Sequence, residues 1–156
     1  MSVPKSVMKI NKGGITYISS VDRVQYTMNE LSRAAMRDVG KYIRKLVIAK
    51  QKGLPGLKKG KRPYTATQFW VRPKEADLQI GFGNSKKGTT GDTWYAIQQE
   101  LGQKNQPARH FLRETVYDNI PKIIEIESKY ISSLEDEARA LALIDENNEG
   151  ENDEGT

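Results

Sequence analysis

Over residues 22–50 the apolar side chains Met28, Leu31, Ala35, Val39, Tyr42, Leu46 and Ala49 recur at spacings of three and four. That period describes one face of an α-helix; a strand would alternate every second residue. The spacing predicts one long amphipathic helix, with Arg33, Arg37, Lys41, Arg44 and Lys45 on its other face. Thr27 followed by Glu30 reads as a capping box, with a helix start up to a turn earlier.

The remaining pattern is shorter-ranged. Gly53, Pro55, Gly56, Gly60 and Pro63 break regular structure across a lysine-rich stretch, predicting an exposed, mobile loop of about ten residues. Residues 65–72, rich in β-branched and aromatic side chains, and residues 77–82, where Leu78, Ile80 and Phe82 alternate, predict a β-hairpin joined at 73–76. Residues 83–93 hold three glycines and no large apolar side chain, and predict a second flexible basic loop. Residues 94–101 form a short helix or strand that stops at Gly102. A second periodic run carries Leu112, Val116, Ile120, Ile123, Ile126, Tyr130 and Leu134 as its expected buried stripe. Pro121 lies inside it, so a kink or break is expected at 118–120. Helical pattern persists weakly through Ala138, Leu141 and Ile144, after which the composition is that of a disordered acidic tail. Residues 1–20, with Ile15, Tyr17 and Ile18 beyond Gly13-Gly14, are expected to be an extended piece or arm. The organisation expected is an arm (1–20), a single α+β domain (21–134), and a helix end with an acidic tail (135–156). Within it, two long helices pack on a small antiparallel β-sheet.

Composition narrows the function. The 156 residues suit one domain. A mean hydropathy of −0.69 goes with a soluble chain of modest core, and no apolar run approaches the roughly 20 residues of a membrane span. No apolar segment near Met1 directs secretion. Zero cysteines exclude a disulfide framework, a thiolate nucleophile and sulfur-based zinc sites, and the single His110 excludes a histidine-rich metal site.

Charge is segregated along the chain. From 134 to 156, nine acids against Arg139 alone give −8, which leaves 24 bases and 11 acids, or +13, for residues 1–133. Between Asp38 and Glu75 there is no acid, while Lys41, Arg44, Lys45, Lys50, Lys52, Lys58, Lys59, Lys61, Arg62, Arg72 and Lys74 all fall there. Such a stretch creates a field toward a polyanion or an acidic protein face. Tyr64, Phe69 and Trp70 border it and could stack bases, although strand aromatics are more often core, and no helix-turn-helix, zinc-finger or RRM signature is present.

Catalytic motifs fail on their own chemistry. Gly83 and Gly88 have the separation of a phosphate-binding loop, but Thr89-Thr90 follow where a lysine must reach the phosphates. Gly81-Phe82-Gly83 opens like a dinucleotide fingerprint, yet Lys86 replaces the third glycine. His110 lacks a nucleophile in an elbow context, and as a lone histidine at a helix start it reads as a polar cap or surface residue. The acids Glu125/Glu127 and Glu135-Asp136-Glu137 read as a solvated face. No enzyme, cofactor or metal is expected.

The most distinctive stretch is Trp94-Tyr95-Ala96-Ile97-Gln98-Gln99-Glu100-Leu101-Gly102, followed by Gln106-Pro107-Ala108-Arg109-His110-Phe111-Leu112-Arg113. It resembles the tail-completion family of long-tailed double-stranded DNA phages, with its Tyr-Ala pair, Glu-aromatic-Gly and Pro-x-x-Pro-Phe-Leu before the last helix. The order of elements over about residues 25–135 fits as well. Leu101 stands for the usual aromatic and His110 for a common proline. The resemblance implies a structural virion protein made in the bacterial host cytoplasm. It would be a ring subunit, hexameric in this reading, joining the tail tube to the head–tail connector around the DNA channel. Its partners would be itself, tail-tube, tail-terminator and head-closure proteins, with non-specific proximity to DNA and no membrane. Trp94, Tyr95, Ala96, Glu100, Gly102, Pro107, Phe111 and Leu112 would be the structural motif. Trp94, Tyr95 and Ile97 are expected to be buried, Gly102 to take a backbone conformation closed to other residues, Pro107 to open a helix, and Glu100 to pair with Arg109 or Arg113. Lys41, Arg44, Lys45, Lys58, Lys59, Lys61, Arg62, Lys86 and Lys87 would line the channel or meet neighbours. The alternative is a small basic nucleic-acid-binding protein.

Overall fold

The computed structural model describes residues 8–19, 21–53, 66–72, 77–83 and 90–153. The architecture is α+β and mostly helical. Strands β1 (Met8–Lys12) and β2 (Ile15–Ser19) pair antiparallel about a Gly13-Gly14 turn and form a sheet of their own.

Helix α1 (Val21–Lys52) is the axis of the fold. It begins well before Thr27, so no capping box forms. The Thr27 hydroxyl instead donates to the Arg23 carbonyl at 3.0 Å, and Glu30 accepts from Arg33 at 2.7 Å. Asp22 in the first turn and Lys50 and Lys52 in the last oppose the helix dipole favourably. The buried face also differs from the expected stripe. Leu31, Ala34 and Ala35 are buried in the first half and Val39, Ile43 and Val47 in the second, while Met28 and Ala49 are exposed. The face rotates because the two halves have different partners. The first half packs with two later helices, at residues 120–132 and 137–153, and the second with a hairpin, with a helix at residues 111–118 and with Ile123 and Ile126.

That hairpin is β3 (Thr67–Arg72) and β4 (Asp77–Phe82). Phe69 pairs with Ile80 and Val71 with Leu78, so period-two alternation puts Leu78, Ile80 and Phe82 in the core while Trp70 turns outward. Gly40 lets the Phe69 ring lie against α1, since a Cβ there would fall 2.5 Å from it. Buried Thr67 donates to Gln51 Oε1 at 3.0 Å, and its carbonyl accepts from Arg44 Nε at 3.0 Å, which pins β3 to α1.

Helix α2 (Thr90–Leu101) follows; its first residues fall within the segment expected as loop. Helices α3 (Phe111–Asp118) and α4 (Ile120–Ser132) are the second periodic run, broken at Asn119 with Pro121 in the first turn of α4, as the sequence predicts. Ile120 and Leu134 are more exposed than expected, whereas Tyr130 is buried. A 3-10 turn (Ser133–Glu135) leads to helix α5 (Glu137–Asp153). Here the sequence expectation is corrected: the acidic segment is helical through Asp153, and Ala140, Leu143 and Ile144 are buried against Leu31, Ala34, Ala35 and Tyr130. The second cluster joins Val39, Ile43, Val47 and Phe111, and Ile126 touches both. No helix among the described residues is long and apolar enough to cross a membrane.

Candidate functional site

The distinctive motif folds into a junction between α2 and α3. Ala96 is fully buried, and Phe111 packs edge-on to Phe82 with ring centres 5.7 Å apart. Glu100, only 8% exposed, pairs with neither Arg109 nor Arg113. Its two carboxylate oxygens accept the backbone N–H groups of Leu112 at 2.9 Å and Arg113 at 3.1 Å. Those amides belong to the first turn of α3, whose donors have no partner inside the helix, and a negative charge there also complements the helix dipole. The backbone reinforces this clamp: Arg109 N–H donates to the Gln99 carbonyl and His110 N–H to the Glu100 carbonyl. His110 takes a left-handed conformation (φ 46°) and turns the chain into α3. Gly102 has φ +79°, and a Cβ on it would fall 2.7 Å from the Ala108 nitrogen, so the loop over residues 103–108 closes over a position open only to glycine. Pro107 lies in that loop and does not open the helix, which starts four residues later. Replacing Glu100 by alanine is expected to lower stability by about 2–3 kcal/mol, because it removes two charge-assisted bonds from a buried helix end. The check is the urea midpoint together with faster amide exchange at Leu112 and Arg113.

Two of the motif residues expected inside are outside. Trp94 is 56% exposed and Ile97 43%, and with Leu101 at 69% they form an i, i+3, i+7 stripe on the outer face of α2. Trp94 stacks edge-on with Tyr95, which is half-buried. A second exposed apolar stripe runs over α3 and α4 through Tyr117, Ile120, Ile124 and Ile131, and a third over Val21, Val24 and Met28 at the start of α1. Single exposed apolar residues are ordinary, but three stripes at helical spacing mark surfaces made for contact.

The basic residues divide. Lys41, Arg44 and Lys45 line a groove of about 480 Å³ on α1 with Ile48, Ala49 and Lys52. Lys58, Lys59, Lys61, Arg62, Lys86 and Lys87 lie outside the described residues. So does Tyr64; the Phe69 ring lies against Gly40 of α1, and Trp70 is on the surface.

A third feature had no sequence signal. Asp38 (α1), Tyr130 (α4) and Asn147 (α5) meet in one hydrogen-bonded knot. The Tyr130 hydroxyl donates to Asp38, and Asn147 Nδ2 lies 2.9 Å from Asp38 Oδ1 and 3.0 Å from the Tyr130 oxygen. Burial, then the bond to Asp38, pushes the Tyr130 hydroxyl well above its ordinary pKa of 10.0, so it stays protonated and donating. Asp38 also borders a cavity of about 710 Å³ lined by Lys122, Glu125, Ile126, Ser128, Lys129 and Ser132. The polar groups there are committed: Lys122 to Glu125, Ser128 to the Ile124 carbonyl, Ser132 to the Lys129 carbonyl. The knot fastens α1 to the two consecutive helices α4 and α5.

Among the described residues no three His, Asp or Glu side chains converge as metal ligands. Compared with protein-family models, curated proteins and solved structures, the chain matches none of them.

Proposed function

We propose that the chain is a structural subunit of a phage neck, a tail-completion ring protein that joins the tail tube to the head–tail connector around the DNA channel. The observation that carries this reading is the pair of apolar stripes on the outer faces of α2 and of α3–α4. Two different patches on one chain suit a head-to-tail contact, in which one patch of each copy meets the other patch of the next, and a rotation that closes makes a ring. The Glu100 clamp supports it, because it fixes the α2 stripe rigidly to the α3–α4 stripe. The motif residues Ala96, Glu100, Gly102 and Phe111 build the scaffold; Trp94, Ile97 and Leu101 make the contact.

The experiment is the mass in solution by light scattering, alone and mixed with the tail-tube protein encoded nearby. A ring, or a complex formed only in the mixture, supports the proposal; a monomer of 17.6 kDa indifferent to that partner overturns it. In the associating sample, Ile97→Glu with Leu101→Glu is expected to abolish assembly while moving the folding free energy by no more than about 1 kcal/mol, since neither residue belongs to the buried core. The α1 groove favours a second reading, a small basic nucleic-acid-binding protein. It predicts an affinity for isolated duplex that falls steeply with salt.

A further inference from the structure

The β3–β4 hairpin packs through one face only. Phe82, Ile80 and Leu78 face the core, opposite Thr67, Phe69 and Val71, so the register gathers Gln68, Trp70 and Arg72 with Gly81, Gln79 and Asp77 on the outer face. There the Trp70 ring lies across β4. A Cβ on Gly83 would fall 2.6 Å from its Cζ2 and 2.9 Å from its Cη2, and one on Gly81 would fall 3.8 Å from its Cζ3. Two glycines at successive outward positions thus seat one side of the indole on bare backbone, while Trp70 leaves 43% of its surface in water. Amides frame the ring. Gln68 Oε1 lies 3.2 Å from the Cβ position of Gly83, and exposed Gln79 stands opposite Trp70, with its amide oxygen accepting from Arg72 Nη2 at 2.9 Å. A seated indole with amides at its rim is the chemistry that holds an unpaired base, by stacking on the ring face and hydrogen bonding at the base edge.

The platform itself is neutral, since Arg72 stands in register with Asp77, and the cations come from α1. Arg44, one wall of the groove it shares with Lys41 and Lys45, donates through Nε to the Thr67 carbonyl at 3.0 Å. Thr67 is three residues from Trp70 along β3, about 10 Å. The stretch without an acid that starts after Asp38 therefore ends on the strand that carries the indole. A neutral sugar could stack on Trp70 but would gain nothing from these cations, and a closed duplex offers them phosphates but no base face. We infer that the outer face of the β3–β4 hairpin binds single-stranded nucleic acid, with one base stacked on Trp70 and the flanking phosphates toward Arg44, Lys41 and Lys45. The inference rests on the nucleic-acid reading above, whose ligand it narrows to an unpaired strand, and is independent of the neck reading.

The test titrates the full chain into three labelled probes at low salt, read by fluorescence anisotropy: an oligothymidine of about 15 residues, an abasic oligomer of the same length, and a duplex of that length. The oligothymidine is expected to bind about tenfold more tightly than either of the others. Trp70→Leu still covers the glycines but has no ring to stack on, so it should erase the difference between oligothymidine and abasic oligomer, whereas Trp70→Tyr should keep most of it. Lys41→Gln with Lys45→Gln should lower the slope of log affinity against log salt by about 1.4 for both single-stranded probes, since each neutralised phosphate contributes about 0.7. In a Trp94→Phe background, which leaves Trp70 as the one indole, oligothymidine should quench the fluorescence. Equal affinity for oligothymidine and abasic oligomer, or a preference for bases that survives Trp70→Leu, overturns the stacking site. Duplex bound as tightly as oligothymidine overturns the single-strand assignment and leaves the broader nucleic-acid reading standing, while no binding to any probe overturns both. Quenching by maltohexaose and not by oligothymidine overturns the inference in favour of a sugar. None of these measurements uses the tube protein, so a failed neck reading is recognised separately.

Discussion

Replacing Gly102 with alanine is expected to lower the free energy of unfolding by about 2–5 kcal/mol, read as a fall in the urea midpoint without a change in slope. Two costs add. A non-glycine residue in the left-handed region costs about 1–2 kcal/mol, and Gly102 sits at φ +79°. The new Cβ would also lie 2.7 Å from the Ala108 nitrogen, 3.0 Å from the Gln106 oxygen and 3.1 Å from the Ala108 Cα. All three are backbone, so relief requires opening the loop that carries the chain from α2 to α3, at an overpacking cost of about 1–3 kcal/mol. Gly102→Asn separates the two terms, because asparagine tolerates this conformation yet carries the same Cβ. The asparagine variant should recover only the smaller part of the loss. If alanine and asparagine were both neutral, the loop would not be closed over Gly102 as described.

How far the sequence could be read depended on the range of the physics involved. Local periodicity placed α1, β4 and the break before Pro121, because helix period, strand alternation and a missing amide donor act within a few residues. The need for glycine at 102 was legible from its place at the end of the Trp94–Leu101 segment. Burial was less legible where a partner decides it. Trp94 and Ile97 are apolar, but their face of α2 meets nothing among the described parts of the chain, and hydrophobicity alone does not report that. Glu100 was legible as a special carboxylate beside many cations, yet its partners are amides 12 and 13 residues away, brought close by the His110 and Gly102 backbone. Thr27 and Glu30 show the converse, a cap spacing inside a helix that starts earlier. The largest gap was α5. Its acids give the composition of a disordered chain, whereas its buried face is made mostly of Ala140, Leu143 and Ile144, too short a stripe to stand out. Asp38, Tyr130 and Asn147 lie 92 and 109 residues apart in their pairings and share no motif.

That knot carries the other large effect. Asp38→Ala is expected to destabilise the fold by about 3 kcal/mol, because it strands the Tyr130 hydroxyl as a donor and takes from the Asn147 amide one of its two acceptors. Tyr130→Phe removes a donor as well as leaving Asp38 short of one, and should cost about 1–3 kcal/mol at neutral pH. The two differ in their response to alkali. The Tyr130 pKa is raised in the fold, first by burial and then by its bond to Asp38, while in the unfolded chain it returns to 10.0. Above pH 10 the unfolded state therefore holds fewer protons than the native one, so stability falls as pH rises; below pH 10 both are protonated and the contribution is fully present. The slope approaches about 1.4 kcal/mol per pH unit for one such group. Tyr26, whose pKa burial and Glu30 also raise, contributes a slope of the same sign, so the measurement is the difference between wild type and Tyr130→Phe. The stability gap between them should narrow from pH 10 to 12, and Asp38→Ala should flatten the wild-type slope by weakening the second cause of the shift. A gap constant over that range would mean that the hydroxyl is not held by Asp38, and that α5 is fastened to α1 by its apolar stripe alone.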